Sequence, residues 1–155
     1  MKTHPFVASN FITLLQESHL RLVGTSLIPN TENSSNSACW LYEASFCVLA
    51  HNTEPDPCII YVNKAAQRCF GYTWDEFTAL RSRLTAEFPD REKRQQLLDL
   101  VNLKGFIKNY SGQRITKSGQ RFWIENGTIW NLTDRNGILH GQAATFEKWG
   151  ALPQK

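Results

Sequence analysis

His51, Glu54 and Asp56 place an imidazole and two carboxylates within one loop of the chain, the combination from which an acid–base pair or a metal site is built. Pro55 and Pro57 stiffen the same loop, and no strong nucleophile or further ligand lies beside it, so the alternative is that these side chains cap the turn. Further along, Tyr110, Gly112 and Arg114 alternate onto one face of an extended segment. The fixed fork of donors on Arg114 suits a ligand carboxylate or phosphate, or a protein carboxylate such as Glu125 on an adjacent strand. Asn126, Thr128 and Trp130 fall in phase with Phe122, Ile124 and Leu132, the more apolar half of the segment 121–132, and are expected to face inward. An unpaired buried amide there costs about 1–3 kcal/mol, so a ligand, a backbone group or a water must pair with it. Gln142 shares a face with His140, Ala144 and Phe146, while Gly141, Ala143 and Thr145 share the other. The small residues leave room beside Gln142 and Trp130, either for a small organic ligand or for close packing of an N-terminal helix. The expected ligand contacts are therefore Tyr110, Arg114, Asn126, Thr128, Trp130 and Gln142. No catalytic or metal-binding set emerges, and Cys39, Cys47, Cys58 and Cys69 are spaced as thiols in or near a core rather than as metal ligands.

The elements that must position these residues follow from periodicity and punctuation. An amphipathic helix is expected over residues 10–23, its stripe formed by Phe11, Leu14, Leu15, Ser18 and Leu22 and its end set by Gly24. That stripe must bury against the open face of a sheet or against a second subunit. Residues 29–38 are polar and read as a linker. Strands are expected over 46–50 and 59–62, joined by the proline-bearing loop as a long hairpin. Asn63 caps a short helix that Gly71 ends, and Thr73 with Glu76 forms a capping box flanked by Tyr72 and Phe77 as a hydrophobic staple. A longer helix over 90–103, capped by Asp90, turns Leu97, Leu98, Val101 and Arg94 inward. Strands 106–116, 121–132 and 138–147 then form a meander, with glycine in both turns.

The stretch Tyr61-Val62-Asn63-Lys64-Ala65-Ala66, followed by Phe70-Gly71-Tyr72-Thr73 and Trp74-Asp75-Glu76-Phe77, resembles the strand and small-helix signature of PAS domains. The segments 51–57, 82–87, 105–107 and 110–114, with Trp130-Asn131-Leu132 and Gly141-Gln142-Ala143-Ala144-Thr145-Phe146, are similar more closely to the MEKHLA domain family, a PAS-like family. This similarity runs from about Trp40 to Trp149 and implies an α+β fold. The expected architecture is a PAS-like five-stranded antiparallel sheet with short helices on one face and an N-terminal amphipathic helix. The expected division is an extension over 1–28, a linker over 29–38, the domain over 39–149 and a tail over 150–155. The family supplies no activity and no functional role for the motif residues. Within PAS sensors, flavin–cysteine photochemistry is not supported because Cys69 stands at a different spacing from the LOV cysteine, and histidine-ligated haem is not supported because residues 90–104 hold no histidine. The cofactor, if any, is unknown.

The remaining bounds are broad. A chain of 155 residues with 41% hydrophobic and 20% charged residues builds one domain without metal or disulfide staples. A net charge of +3, with the cluster Arg91, Lys93 and Arg94, indicates nucleic-acid binding only weakly, since such a run is usually a solvated helix face. No signal-peptide pattern and no apolar run long enough for a membrane span occurs, so the expected location is the cytoplasm. The leading expectation is a non-enzymatic sensory or small-molecule-binding module that signals through a partner or a homodimer formed by the N-terminal helix or the sheet. The alternatives are a structural or protein-interaction domain with a filled core, and a small enzyme using the His51 loop or Tyr110 with Arg114.

Overall fold

In a computed structural model of the protein, residues 9–29, 34–86 and 88–151 are described. Helix α1 (Ser9–Val23) and helix α2 (Ser34–Glu43) precede strands β1 (Cys47–His51) and β2 (Ile59–Val62). Helices α3 (Lys64–Phe70) and α4 (Trp74–Phe77), a 3₁₀ turn at Ser82–Thr85 and helix α5 (Phe88–Lys104) then lead into β3 (Phe106–Ile115), β4 (Arg121–Thr133), β5 (Leu139–Phe146) and β6 (Lys148–Ala151). Strands β1–β5 form an antiparallel sheet, as the resemblance implies, in the order β2-β1-β5-β4-β3. The last strand, β6, was not expected: it pairs Glu125 with Lys148 and Phe122 with Ala151, carrying on along β4 in the register set by β5. Residues Gly150 and Ala151 therefore lie in the sheet rather than in a tail, and the rest of the expected tail, like residues 1–8, lies outside the described residues.

The expected linker is also corrected, because α2 begins at Ser34 inside it. Its serines and asparagine are weak helix formers, and what holds the helix is tertiary packing of Leu41 and Tyr42 in the core. Likewise α5 starts at Phe88, so Asp90 stands inside its first turn instead of capping it. Arg94, Leu98 and Val101 are all buried on its inward face, as their spacing predicts.

Asn63 ties three elements together. Its Oδ1 accepts from the backbone N–H groups of Ala66 (3.1 Å) and Val48 (2.9 Å), and its Nδ2 donates to the carbonyls of Leu41 (3.1 Å) and Phe46 (2.8 Å). The cap of α3 is thus also a bolt through α2 and β1. Gly71 closes α3 in the left-handed region at φ 81°, and the capping box of Thr73 and Glu76 forms with both its hydrogen bonds. The rings of Tyr72 and Phe77 lie 5.1 Å apart across it.

The two faces of the sheet have different covers. On the outer face Trp130 lies fully buried beneath α1, donating from its indole N–H to Ser18 Oγ at 2.9 Å, with His19 edge-on at 4.8 Å. The apolar stripe of α1 is therefore used within the chain: Leu15 and Ser18 are wholly enclosed. On the inner face Leu98 and Val101 of α5 pack on Ile129, while Phe70 meets Phe122 edge-on at 5.0 Å. No helix among the described residues is long and apolar enough to cross a membrane.

Candidate functional site

Between α5, the 3₁₀ turn and the inner face of the sheet lies a cavity of about 50 Å³. Its walls are part apolar, from Ile59, Phe70, Ile124, Ile129 and Phe146, and part polar, from His51, Ser82, Thr85, Arg94, Tyr110, Arg114 and Gln142. No aspartate or glutamate lines it.

Each polar group is placed by its element. Arg114 and Tyr110 extend from β3, the Arg114 guanidinium 5.3 Å above the Tyr110 ring while its Nη1 donates to the Gln113 carbonyl at 2.8 Å. Gly112 makes that stack possible. A Cβ there would run into the Tyr110 hydroxyl and come within 3.2 Å of Arg114 Nη1. Arg94 reaches from α5 and donates to Ser82 Oγ on the 3₁₀ turn. His51 and Gln142 are register partners on β1 and β5, so their side chains share the inner face. Gln142 Nε2 faces three acceptors, Leu98 O (3.2 Å), Asn102 Oδ1 (2.9 Å) and Asn131 Oδ1 (3.1 Å), and so anchors α5 to the sheet.

On the far side of His51, Leu98 and Gln142 a more open cleft of about 220 Å³ is lined also by Asn52, Glu54, Pro55, Gln95 and Asn102. Those three shared residues form the partition between cleft and interior. Two atoms of the partition, His51 Nε2 and Gln142 Oε1, are buried without a hydrogen-bond partner. The His51 Nδ1–H donates to the Asn52 carbonyl at 2.9 Å, which leaves Nε2 as an acceptor near another acceptor.

Burial lowers the pKa of His51, and the Arg94 charge lowers it further, against the pull of the Asn52 and Gln142 contacts. Burial lowers His19 as well. Both rings are held neutral in the fold, while the unfolded chain takes up their protons as pH falls through about 6.5. Stability is therefore full above that value and declines below it. Urea unfolding at pH 7.5 and 5.5 should show a lower midpoint at pH 5.5, with a smaller drop in the His51→Gln variant. An unchanged midpoint would show that neither ring is held neutral.

The residues expected to touch a ligand divide unevenly. Tyr110, Arg114, Thr128 and Gln142 border the cavity. Asn126 does not face inward: it is exposed, with a left-handed φ of 54° that interrupts the alternation of β4. Before it Ile124 borders the cavity and Phe122 packs on the cavity residue Phe70; after it Gly127 and Ile129 border the cavity. Trp130, opposite Ala143 and next to the Asn131–Gln142 pair, consequently lies on the other face from Gln142, under α1, so the expected space between Trp130 and Gln142 does not exist. The room at Gly141 is taken by the His51 carbonyl. Nor does Arg114 meet Glu125, since the register sets it opposite Phe122.

In the His51 loop, Glu54 and Asp56 turn away to the surface and pair with Arg81 (3.0 Å) and Arg83 (3.1 Å), while His51 points to the cavity. The three groups do not converge, and no cluster of His, Cys, Asp and Glu fit for a metal occurs among the described residues. Sequence reasoning missed Ser82 and Thr85 as cavity residues, and it turned Arg94 inward without naming it as a ligand contact. The signal for Ser82 and Thr85 is their three-residue spacing, which puts both on one side of a tight turn.

A model of the MEKHLA domain matches residues 9–151. The chain belongs to the MEKHLA domain family. The match includes α1 and β6, so both are parts of the MEKHLA domain and not appendages to it. No curated protein matches the chain. Among solved structures, a PAS domain from Colwellia psychrerythraea superposes with a TM-score of 0.65 at 15% identity, covering 76% of this chain and 95% of that one. An RNA-binding Light-Oxygen-Voltage receptor superposes with a TM-score of 0.63 at 18% identity, covering 79% of this chain and 34% of that one. At these identities the likeness establishes the PAS fold. The interior of this MEKHLA domain does not fit a flavin: the cavity is far smaller than an isoalloxazine, and Cys69 is not among its walls. The neighbour of Cys69 is Cys47, whose thiol is pushed up by their hydrogen bond and by burial.

Proposed function

We propose that this MEKHLA domain is a sensory module that binds a small molecule in the cavity beneath its sheet, without catalysis, and passes occupancy to a partner. The observation that carries this reading is the pair of opposed buried acceptors, His51 Nε2 and Gln142 Oε1, at the wall of a partly apolar cavity. A filled structural core would satisfy or omit such groups, because each costs about 1–3 kcal/mol unpaired. A ligand hydroxyl or a bound water supplies the missing donor.

Gln142 also explains how occupancy can travel. Its amide nitrogen holds the carbonyl of Leu98 and the side chain of Asn102, both on α5. A ligand that engages Gln142 Oε1 favours one packing of α5 over another, provided its affinity for the two differs.

Native mass spectrometry of freshly purified protein, followed by thermal unfolding across a broad metabolite panel, tests the reading. A ligand at a hundred times its Kd should raise the midpoint by about 5–10 °C. Protein that is ligand-free in the spectrometer and unshifted by the whole panel would overturn sensing in favour of a structural or interaction domain.

A further inference from the structure

The cavity carries two buried guanidinium groups among largely apolar walls. Arg94 and Arg114 are only 7% and 8% exposed, and among the described residues neither is paired with a carboxylate. Buried guanidinium groups ordinarily have a carboxylate or phosphate partner, since an uncompensated charge is costly to remove from water. Here Arg94 has the Ser82 hydroxyl and Arg114 has a backbone carbonyl and the Tyr110 ring, all neutral groups. Burial, and then the Arg114 charge, bring the pKa of Arg94 down to about 10, so the two cations feel each other. His51 sits in the same field. The apolar part of the wall comes from Ile59, Ile124, Ile129 and Phe146.

The geometry points to a short-chain monocarboxylate as the ligand of this cavity, its carboxylate held between Arg94 and Arg114 and its short carbon chain against the isoleucines. The inference rests on the sensory reading above and adds the chemical class of the ligand. The remaining Arg114 guanidinium donors and the Ser82 and Tyr110 hydroxyls at the cavity wall can donate to a planar anion, whereas the Thr85 hydroxyl is already given to the Ser82 carbonyl at 2.9 Å. The volume sets the length. At about 10–15 Å³ for each water-sized group, 50 Å³ admits roughly three to five heavy atoms, the size of acetate and propionate, with butyrate beyond it. Inorganic phosphate fits less well, because its oxygens point in all directions and some would have to face the apolar walls.

The test is calorimetry and thermal unfolding of the full chain with acetate, propionate and butyrate, against acetamide, propionamide and butyramide, with inorganic phosphate as a further arm and ionic strength matched by NaCl. At least one acid should bind saturably and at least about tenfold more tightly than its amide and than phosphate. Arg114→Gln should abolish that response with its circular dichroism unchanged and its midpoint in the absence of added acid equal to or above the parent's, since it removes an uncompensated buried charge. Arg114→Lys, which keeps the charge but loses the fork, should bind more weakly than the parent and more tightly than Arg114→Gln. Amides or phosphate binding as well as the acids, or an Arg114→Gln protein that is destabilised by more than about 8 °C, would overturn the proposal. If none of the acids binds while the metabolite panel yields a neutral ligand, the anion site is wrong and the sensory reading stands. If neither the acids nor the panel binds, both fall.

Discussion

Replacing Asn63 by alanine is expected to lower the unfolding free energy by about 3–5 kcal/mol, because one substitution removes a helix cap and takes the side-chain partner from the Val48 and Ala66 N–H groups and from the Phe46 and Leu41 carbonyls, of which Leu41 keeps only the Ala44 N–H. A simple N-cap loss costs about 1 kcal/mol, so the measured value separates a cap from a bolt. Asn63→Asp is the informative companion. It keeps the acceptor for Ala66 and Val48 N–H, loses the donors to the Leu41 and Phe46 carbonyls, and brings a carboxylate into a wholly enclosed position. If the side chain served only to cap α3, aspartate would be as good as asparagine. Urea unfolding of the two variants should instead find Asn63→Asp at least about 2 kcal/mol below the parent. Its equality with the parent would sink the three-element role.

Asn63 also shows where the sequence was legible. The Asn63, Gly71 and Thr73–Glu76 positions announce two helix starts and a stop, because capping is a local interaction between residues three apart. That the Asn63 amide also reaches β1 and α2 depends on chain segments 15 and 22 residues away, which no local pattern encodes. The first hairpin and the three-strand meander were likewise readable from alternation and turns, whereas the β1–β5 pairing that joins them and the last strand β6 were not. What failed was phase. Asn126 in β4 and Asn109 in β3 both adopt positive φ, at 54° and 58°, and each breaks the period of two on which inward and outward assignments rest. Asparagine tolerates that conformation better than other non-glycine residues, yet many asparagines in strands do not adopt it, so its type alone does not mark the break. The result was that Asn126 and Trp130 were placed on the cavity face while Ile129 was not. Residues before the break, and Gln142, which lies on the regular side of the register shift between β4 and β5, were assigned correctly. Covering of both sheet faces adds to the difficulty: α1 buries Trp130 and Leu132 on the outer side, so the run from Ile129 to Leu132 is buried throughout and alternation carries no information there.

Gly141→Ala is expected to cost about 2–4 kcal/mol, or about 5–15 °C in midpoint, and to damage the cavity partition along with the fold. Gly141 lies opposite the end of β1 at φ 153°, and an added Cβ would be driven into the His51 carbonyl oxygen while coming within 3.3 Å of the Asn52 Cα. Both obstacles are backbone, which cannot swing aside as a side chain can. Relief requires β1 to move away from β5 at the His51–Gln142 pair, the same pair that walls the cavity. Gly137→Ala is the control: it has a positive φ of 79° but nothing within 4 Å of the added carbon, so it carries the conformational penalty without the collision, about 1 kcal/mol. A loss at Gly141 no larger than at Gly137 would show that β1 and β5 yield freely there. A larger loss, accompanied by faster amide exchange at Asn52 and Gln142 than in the Gly137 variant, would show that the close approach of the two backbones is what fixes His51 against Gln142 and keeps the partition closed.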